Sequence, residues 1–167
     1  NPMRKIRLEK VVLSCGATGS NLEKSNLLLK MLSGKKPKIV RAGPKRRIPA
    51  FDVKPGLELG VMVTLRRKDA FNILKNLLGA INNKLHESQI SINGFSFGIK
   101  EYIEIPGTEY KREIGIRGLN ATVVFSRAGF RVKRKKIKRA YQILHLVQND
   151  IEVRFFNCFY IFEDLIL

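Results

Sequence analysis

The sequence predicts an α+β fold in which two helices pack on one face of a mainly antiparallel sheet and leave the other face open. Residues 57–66 alternate strictly between apolar and other residues, as in a strand with one face in the core. Residues 21–33 and 69–85 carry apolar residues at helical spacing. A chain of 167 residues, 44% of them hydrophobic, is long enough for one core. We therefore predict a single domain over residues 1–167, with a basic loop at 42–56, a basic arm at 127–139 and a divergent C-terminal tail at 141–167.

The first strand and the first helix are predicted from alternation and from end signals. Residues 5–14 alternate and then continue into an apolar run, which favours a strand. A glycine-rich turn at 15–19 follows. Ser20 and Glu23 have the spacing of a capping box, and Gly34 stands where a left-handed C-cap is favourable. These signals bound the first helix.

A short strand, a basic loop and a longer strand are predicted next. Residues 38–41 favour a short strand, and residues 42–56 hold too many prolines and glycines for regular structure. The strand at residues 57–66 has two distinct faces. Its core face carries Leu57, Leu59, Val61, Val63 and Leu65, and its open face carries Glu58, Gly60, Met62, Thr64 and Arg66.

The second half of the chain repeats the same two patterns. Asp69 is predicted to cap the second helix, which runs to about residue 85. Residues 95–99 and 119–126 predict two further strands, separated by a loop. Asp150 is predicted to start a short final helix. The buried stripe of the second helix is predicted to contain Phe71, Leu74, Leu78, Ile81 and Leu85.

The positive charge is concentrated in two segments. The chain has 32 Lys and Arg against 14 Asp and Glu, a net charge of +18. Residues 35–54 and 127–139 together hold sixteen cations and one acid, so they account for +15 of that charge. A small domain with this much like charge is stabilised by an anionic partner, most commonly nucleic acid. Charge alone does not separate RNA, DNA and an anionic membrane.

Several classes of function find little support in the residues. Cys15 and Cys158 stand far apart, which predicts neither a disulfide framework nor a zinc site and fits a reducing cytosol. Cys15 as a nucleophile has no identifiable cationic partner. Neither His86 nor His145 has a partner at catalytic spacing. We therefore predict that the protein is not an enzyme and uses no cofactor or metal.

A membrane role is not expected either. The most apolar stretch is too short to span a bilayer, and no signal-peptide pattern is visible at the start of the sequence. The first residue is Asn1, which indicates that a few leading residues are missing or removed.

Four features leave alternatives open. The turn at 15–19 precedes a helix N-terminus, so it is a structural turn, a contact for an RNA phosphate, or the nucleotide site of an RNA-modifying enzyme. Phe51 in the basic loop either fills the core or contacts RNA. The run at 131–139 repels itself and is expected to order on RNA, with a nuclear localisation signal as the alternative. The aromatic cluster at 155–166 either docks on the core or binds a partner, as in a basic adaptor protein.

Seven short segments carry a family resemblance. They are Asn-Pro-Met-Arg at 1–4, Lys-Val-Val at 10–12, Ser-Gly-Lys-Lys-Pro at 33–37, Val-Thr-Leu-Arg at 63–66, Phe-Ser-Phe-Gly-Ile-Lys-Glu at 95–101, Ile-Pro-Gly-Thr at 105–108 and Gly-Ile-Arg-Gly-Leu at 115–119. In this order they resemble the large-subunit ribosomal protein "L-five" family, in its archaeal and eukaryotic branch. The match runs to about residue 139, and nothing is transferred to the tail at 141–167.

The resemblance implies a structural protein of the large ribosomal subunit in the cytoplasm. It implies contacts with large-subunit rRNA, with neighbouring ribosomal proteins of the central protuberance, and with 5S ribosomal RNA, a loop of which would lie against the open sheet face. It also implies that loop 42–56 reaches the P-site transfer RNA. The phosphate clamps of that loop would be Lys45, Arg46 and Arg47.

The predicted rRNA contacts come from the resemblance and from the residues themselves. The resemblance implies contacts by Thr64, by Phe51, by Lys35 where the family usually has Gln, and by Ser14 where it usually has Asn. The open face adds Met62 and Arg66, and the basic segments add Lys36, Arg131, Lys133, Arg134, Lys135 and Lys136. At residues 117–120 the family usually has Phe-Gly-Met-Asp, so Asn120 replaces an acid.

Overall fold

The computed structural model describes residues 5–45, 47–91 and 93–129, which form six strands and two α-helices. These are β1 (Ile6–Gly16), α1 (Ser20–Ser33), β2 (Lys38–Arg41), β3 (Glu58–Leu65), α2 (Arg67–Ala80), β4 (Ile90–Ser91), β5 (Gly94–Ile99) and β6 (Leu119–Arg127). All strand pairs are antiparallel, in the order β2-β3-β1-β6-β5-β4. The strand β1 therefore lies inside the sheet, between β3 and β6.

Both helices pack on the same face of the sheet. Val11 and Leu13 of β1 are fully buried on that face, in one core cluster with Leu28 of α1 and Leu77 of α2. Residues of the opposite parity, such as Val12, are not part of this core. The predicted α+β fold, with helices on one side of an antiparallel sheet, is confirmed. Neither α1 nor α2 is long and apolar enough to cross a membrane.

The first helix begins one residue earlier than predicted and lacks the predicted capping box. Gly19, with a φ of 59°, is the N-cap, and no side chain caps the first turn. An N-cap side chain belongs to the residue just before the first helical residue. Ser20 is itself the first helical residue, so its hydroxyl is not in the capping position. At the other end Gly34 has a φ of 63° and its N–H donates to the Lys30 carbonyl at 2.9 Å. The predicted left-handed C-cap is confirmed.

The second helix ends at Ala80 rather than near residue 85. Asn82 and Asn83 have positive φ angles of 53° and 56°, and the Asn83 N–H donates to the Leu78 carbonyl at 3.0 Å. Asn tolerates the left-handed region better than most residues do. The predicted end is wrong because the apolar spacing continues after the backbone has turned.

The start and the buried stripe of α2 also differ from the prediction. Arg66 is the N-cap, and Asp69 lies in the first turn without capping it. Phe71 is 41% exposed and does not belong to the core. The residues that α2 buries are Ala70, Leu74, Leu77 and Leu78.

The connections contain structure that the sequence did not predict. The strand β4 has two residues and pairs with β5, and so short a strand shows no period. The strand β1 extends through Gly16, which shortens the turn predicted at 15–19. Loop 42–56 contains a short 3-10 helix, Pro49–Phe51. The helix predicted to start at Asp150 lies outside the described residues.

Candidate nucleic-acid interface

The face of the sheet opposite the helices, called here the open face, carries two rows of mostly small side chains across four strands. Ser14, Thr64, Thr122 and their neighbours are brought into line by the strand register, not by sequence. Both helices pack on the opposite face of the sheet. The first row is Met62, Ser14, Asn120 and Gly98, and the second is Thr64, Val12, Thr122 and Ser96, each in the order β3, β1, β6, β5.

The polar groups of the two rows are available to a partner. The side chains of Thr64, Asn120, Thr122 and Ser96 are exposed, and that of Ser14 is half-buried. None of these five makes a side-chain hydrogen bond to another described residue. Hydroxyl and amide groups on a rigid surface match the 2′-hydroxyls and base edges that RNA displays in loops and minor grooves. The open face therefore has the chemistry of an RNA-recognition surface.

Three predicted contacts, Ser14, Met62 and Thr64, lie in the rows of the open face, and three other residues there were not predicted. Ser14 and Thr64 occupy neighbouring strands, β1 and β3, in adjacent rows, and Met62 is half-buried beside Ser14. Asn120, Thr122 and Ser96 were not among the predicted contacts. In the sequence they alternate with apolar residues in two predicted strands, which indicates that they face away from the core. Only the strand register shows that they continue the same rows.

Cations gather at one end of the open face. Arg66 directly follows β3, and Lys35 and Lys36 precede β2; all three are exposed. The last residue of β6, Arg127, pairs with Ile6 at this same end of β1. The predicted basic arm therefore begins at the same end of the sheet as these cations. Its predicted contacts, Arg131, Lys133, Arg134, Lys135 and Lys136, lie outside the described residues.

The basic loop 42–56 lies at the opposite end of the sheet, and Phe51 in it is 78% exposed. Two backbone hydrogen bonds of 3.1 Å join Ile48 and Val53 and hold the segment between them in a tight turn. The alternative that Phe51 fills the core is wrong, because the side chain points into solvent. The side chains of Lys45 and Arg47 are exposed, and Arg46 lies outside the described residues.

The base of this loop is closed by specific contacts. The Arg41 guanidinium donates to the Glu58 carboxylate at 2.8 Å. The Ala42 N–H donates to the Leu57 carbonyl at 2.8 Å, and the Gly56 N–H donates to the Ala42 carbonyl at 3.1 Å. These contacts fix the base of the loop, and the segment that contains Phe51 extends from this base.

Lys35 takes part in an ion pair that the sequence did not predict. Its Nζ lies 2.5 Å from Oδ2 of Asp69, and both side chains are about half exposed, at 48% and 55%. The hydrogen bond from Lys35, followed by its charge, lowers the pKa of Asp69 below its ordinary value. An RNA phosphate that binds Lys35 has to compete with this carboxylate.

Replacing Asp69 with Asn is expected to strengthen RNA binding and to steepen its dependence on salt, because Lys35 is then free to neutralise a phosphate. Affinity measured across a salt series checks this, with Glu23→Gln on α1 as a control that removes one acid elsewhere. Equal changes in both variants would show that net charge alone acts.

The ion pair between Lys35 and Asp69 also makes the stability of the fold depend on pH. Because the folded pKa of Asp69 is lowered, the pair stabilises the fold above the ordinary carboxyl pKa. That contribution is lost as pH falls through the lowered value.

Cys15 is an interior thiol. It is 4% exposed, and its Sγ donates to the Gly118 carbonyl at 3.4 Å. Burial raises the pKa of Cys15 to about 11, although the charge of Arg117 acts in the opposite direction. The thiol is therefore protonated near neutral pH, which disfavours a nucleophilic role.

In a Cys158→Ser variant, Cys15 is expected to resist alkylation in the folded protein and to react rapidly once denaturant unfolds it. The rate of iodoacetamide labelling with and without denaturant measures this. Equal rates would contradict the burial of the thiol.

The raised pKa of Cys15 also makes stability depend on pH. Because the folded pKa is raised, the free energy of unfolding is expected to fall as pH rises from about 9 towards about 11.

Two backbone hydrogen bonds hold the turn before α1. The Ala17 N–H donates to the Leu59 carbonyl at 3.1 Å, and the Leu22 N–H donates to the Gly19 carbonyl at 3.0 Å. These bonds favour a structural turn over a nucleotide site.

The described residues form no cluster suited to a metal ion, and the cavity between the helices holds few titratable groups. Across the described ranges, no group of three or more His, Cys, Asp or Glu residues is placed to hold a metal ion. A cavity of about 370 Å³ between the helices has Glu109 and Lys111 as its titratable residues.

Comparison with known proteins gives consistent matches. Residues 58–148 match the model for the C-terminus of the ribosomal "L-five" (uL5) protein family. The large ribosomal subunit protein uL5 of Nanoarchaeum equitans is 48% identical over 143 residues, which are 84% of this chain and 83% of that protein. The uL5 of Sulfurisphaera tokodaii is 44% identical over 84% of this chain and 80% of its own length. The uL5 of Methanococcoides burtonii is 38% identical over 98% of both chains.

Proposed function

The chain belongs to the ribosomal uL5 family, and from that premise we propose that it binds 5S ribosomal RNA through the open face of its sheet. As a family member it is a protein of the large ribosomal subunit, acts in translation and is located on the cytoplasmic ribosome. The site on the central protuberance, beside large-subunit rRNA and neighbouring ribosomal proteins, is part of the proposal. The role is structural and non-catalytic.

The observation that carries this proposal is the pair of polar rows on the open face. Ser14 and Thr64 present hydroxyls with no described hydrogen-bond partner, on central strands whose other face is locked into the core. A rigid sheet presents such groups at fixed spacing, so it discriminates between RNA shapes better than a mobile charged segment does. This supports recognition of a folded RNA loop.

The cations supply affinity and orientation around that surface. Lys35, Lys36 and Arg66 lie at one end of the open face, and Arg127, where the predicted arm begins, lies at the same end. Phosphate contacts by Lys and Arg position a protein on RNA without reading its sequence. We therefore assign specificity to the rows and most of the salt-dependent affinity to the cations, including those of the arm.

The proposal is tested by the affinity of the full chain for 5S rRNA against an unrelated RNA of equal length, across a salt series. We expect the cognate RNA to win by more than about tenfold, or about 1.4 kcal/mol, and to keep that margin at high salt. If both RNAs bind alike and weaken together as salt rises, only counterion release is at work. Specific recognition by the open face would then be wrong.

Loop 42–56 supports a second contact, with P-site transfer RNA. A side chain as large and apolar as Phe51 is 78% exposed in a loop with a closed base, flanked by exposed Lys45 and Arg47. An aromatic ring stacks on a base or packs on a ribose while neighbouring cations bind phosphates. The loop lies at the end of the sheet opposite Lys35 and Arg66, so both RNA contacts can form at once.

A photo-crosslinking residue at position 51 tests this second contact in reconstituted ribosomes. We expect a crosslink to transfer RNA that requires an occupied P site. The same residue at Leu27, an exposed position on α1, is the control and should give no such crosslink. A crosslink from position 51 only to ribosomal RNA would contradict the transfer RNA contact.

A further inference from the structure

We propose that the β5–β6 half of the open face is a charge-free RNA-recognition surface, in which Ser96, Asn120 and Thr122 contact 2′-hydroxyls and base edges. This inference rests on the proposed function and extends its binding site to strands that carry none of the predicted contacts. It assigns the two halves of one sheet face different tasks.

The three residues continue the rows that contain the predicted contacts. Asn120 pairs with Ser14, and Thr122 pairs with Val12, whose other neighbour is Thr64. Ser96 in turn pairs with Thr122. Neighbouring strands lie about 4.8 Å apart, so the row from Thr64 to Ser96 spans roughly 14 Å. A nucleotide stretch that contacts Thr64 therefore has Thr122 and Ser96 within its reach.

The side chains are free to make such contacts. All three are exposed, and none bonds to another residue in the described part of the chain. Hydroxyl and amide groups act as both donors and acceptors. A 2′-hydroxyl is also both, and base edges offer either kind of group, so these side chains match RNA better than they match a phosphate.

The two halves of the open face differ in charge. The half made by β2 and β3 has Lys38 at a strand position, and Lys35, Lys36 and Arg66 at its end. In the half made by β5 and β6, the residues that lie on the open face between positions 94 and 99 and between positions 119 and 125 carry no charge. Those positions are Gly94, Ser96, Gly98, Asn120, Thr122 and Val124.

A glycine beside Asn120 provides a direct probe of this surface. A Cβ added at Gly98 would lie 3.0 Å from Oδ1 of Asn120, with no other atom within 4 Å. Alanine at 98 therefore displaces the amide group at the end of a flexible side chain and leaves the backbone undisturbed. It moves the amide without removing any of its hydrogen-bonding groups.

The test uses the full chain and pools of 5S rRNA with 2′-deoxynucleotides at random positions. Bound and unbound RNA are sequenced for wild type, Asn120→Ala, Thr122→Val and Gly98→Ala. Each variant is expected to bind roughly three- to tenfold more weakly, the effect of one hydrogen bond. The salt slope should stay that of wild type, because no phosphate contact is lost. Deoxy positions that weaken wild-type binding should lose their effect at a few nucleotides in the variants.

Asn72→Ala, which truncates an exposed Asn on α2, is the matched control and should leave both affinity and interference pattern unchanged. Thermal unfolding confirms that each variant is folded. If the three variants bind as wild type does with the same interference pattern, while Thr64→Arg removes specificity, this inference is overturned and the proposed function stands. A lower salt slope in the variants overturns the charge-free assignment. If wild type itself shows no preference for 5S rRNA, both are wrong.

Discussion

Thr64→Arg is expected to remove the preference for 5S rRNA while leaving affinity for unrelated RNA unchanged or slightly higher. Thr64 is exposed on β3 and pairs with Val12 of β1, so a long side chain there lies across the second row. The substitution deletes a hydroxyl contact and blocks close approach of the RNA, yet it adds a cation. We expect the loss in specific affinity to be about tenfold or more.

The direction of the two changes separates recognition by shape from attraction by charge. If binding were driven by counterion release alone, an added arginine would raise the affinity for every RNA. Asn72→Arg on α2 is the matched control, because it adds the same charge on the helical side of the sheet. If a Thr64→Arg protein still prefers 5S rRNA by the wild-type margin, the open face does not recognise 5S rRNA.

Gly94→Ala is expected to lower the free energy of unfolding by about 3 kcal/mol, or roughly 6–12 °C in Tm. A Cβ at position 94 would lie 1.9 Å from the carbonyl oxygen of Val123 and 3.0 Å from its carbonyl carbon. These are backbone atoms of the paired strand, so relief requires β5 and β6 to separate. Because β5 places Phe95 and Phe97 in the core, that separation also loosens apolar packing.

Gly98→Ala is the matched control, because it makes the same substitution on the same strand. Its added Cβ meets only the end of the Asn120 side chain, so we expect a change in unfolding free energy within about 0.5 kcal/mol. Urea unfolding of both variants measures the difference. Equal stability of the two would contradict the close approach of β5 to β6 at Gly94.

The parts of the fold that the sequence predicted are those specified by local patterns over many residues. The alternation at 57–66 and at 119–126 predicted β3 and β6, because a strand with one buried face imposes a period of two. Gly34 predicted the end of α1, because a left-handed C-cap depends on one residue and its own turn.

The errors arose where a local signal depends on its exact position or on distant contacts. Ser20 has suitable capping chemistry, but the helix starts at that residue instead of after it. Phe71 fits the apolar period of α2, yet the helix buries Ala70, Leu74, Leu77 and Leu78 and leaves this side chain 41% exposed. Sequence periodicity does not define which of several neighbouring apolar residues meets the sheet.

The candidate site was predicted in the same uneven way. Thr64 and Ser14 were assigned through the family resemblance and the polar parity of their strands, and both lie on the open face. The pairing of Lys35 with Asp69 was missed, because the two residues stand 34 positions apart and meet only after β2 and α2 are in place. Exposure of Phe51 likewise follows from the closed base of its loop, which no local pattern specifies.

The sequence by itself determined the fold class, the concentration of positive charge in two segments and the family resemblance. All three can be read from residue types and their spacing along the chain, without knowing which distant residues meet. The tertiary structure alone decided that Asn120, Thr122 and Ser96 continue the rows of Ser14 and Thr64, and that loop 42–56 lies at the end of the sheet opposite Arg127. Strand order and register determine both, and they are set by how all six strands and both helices share one core.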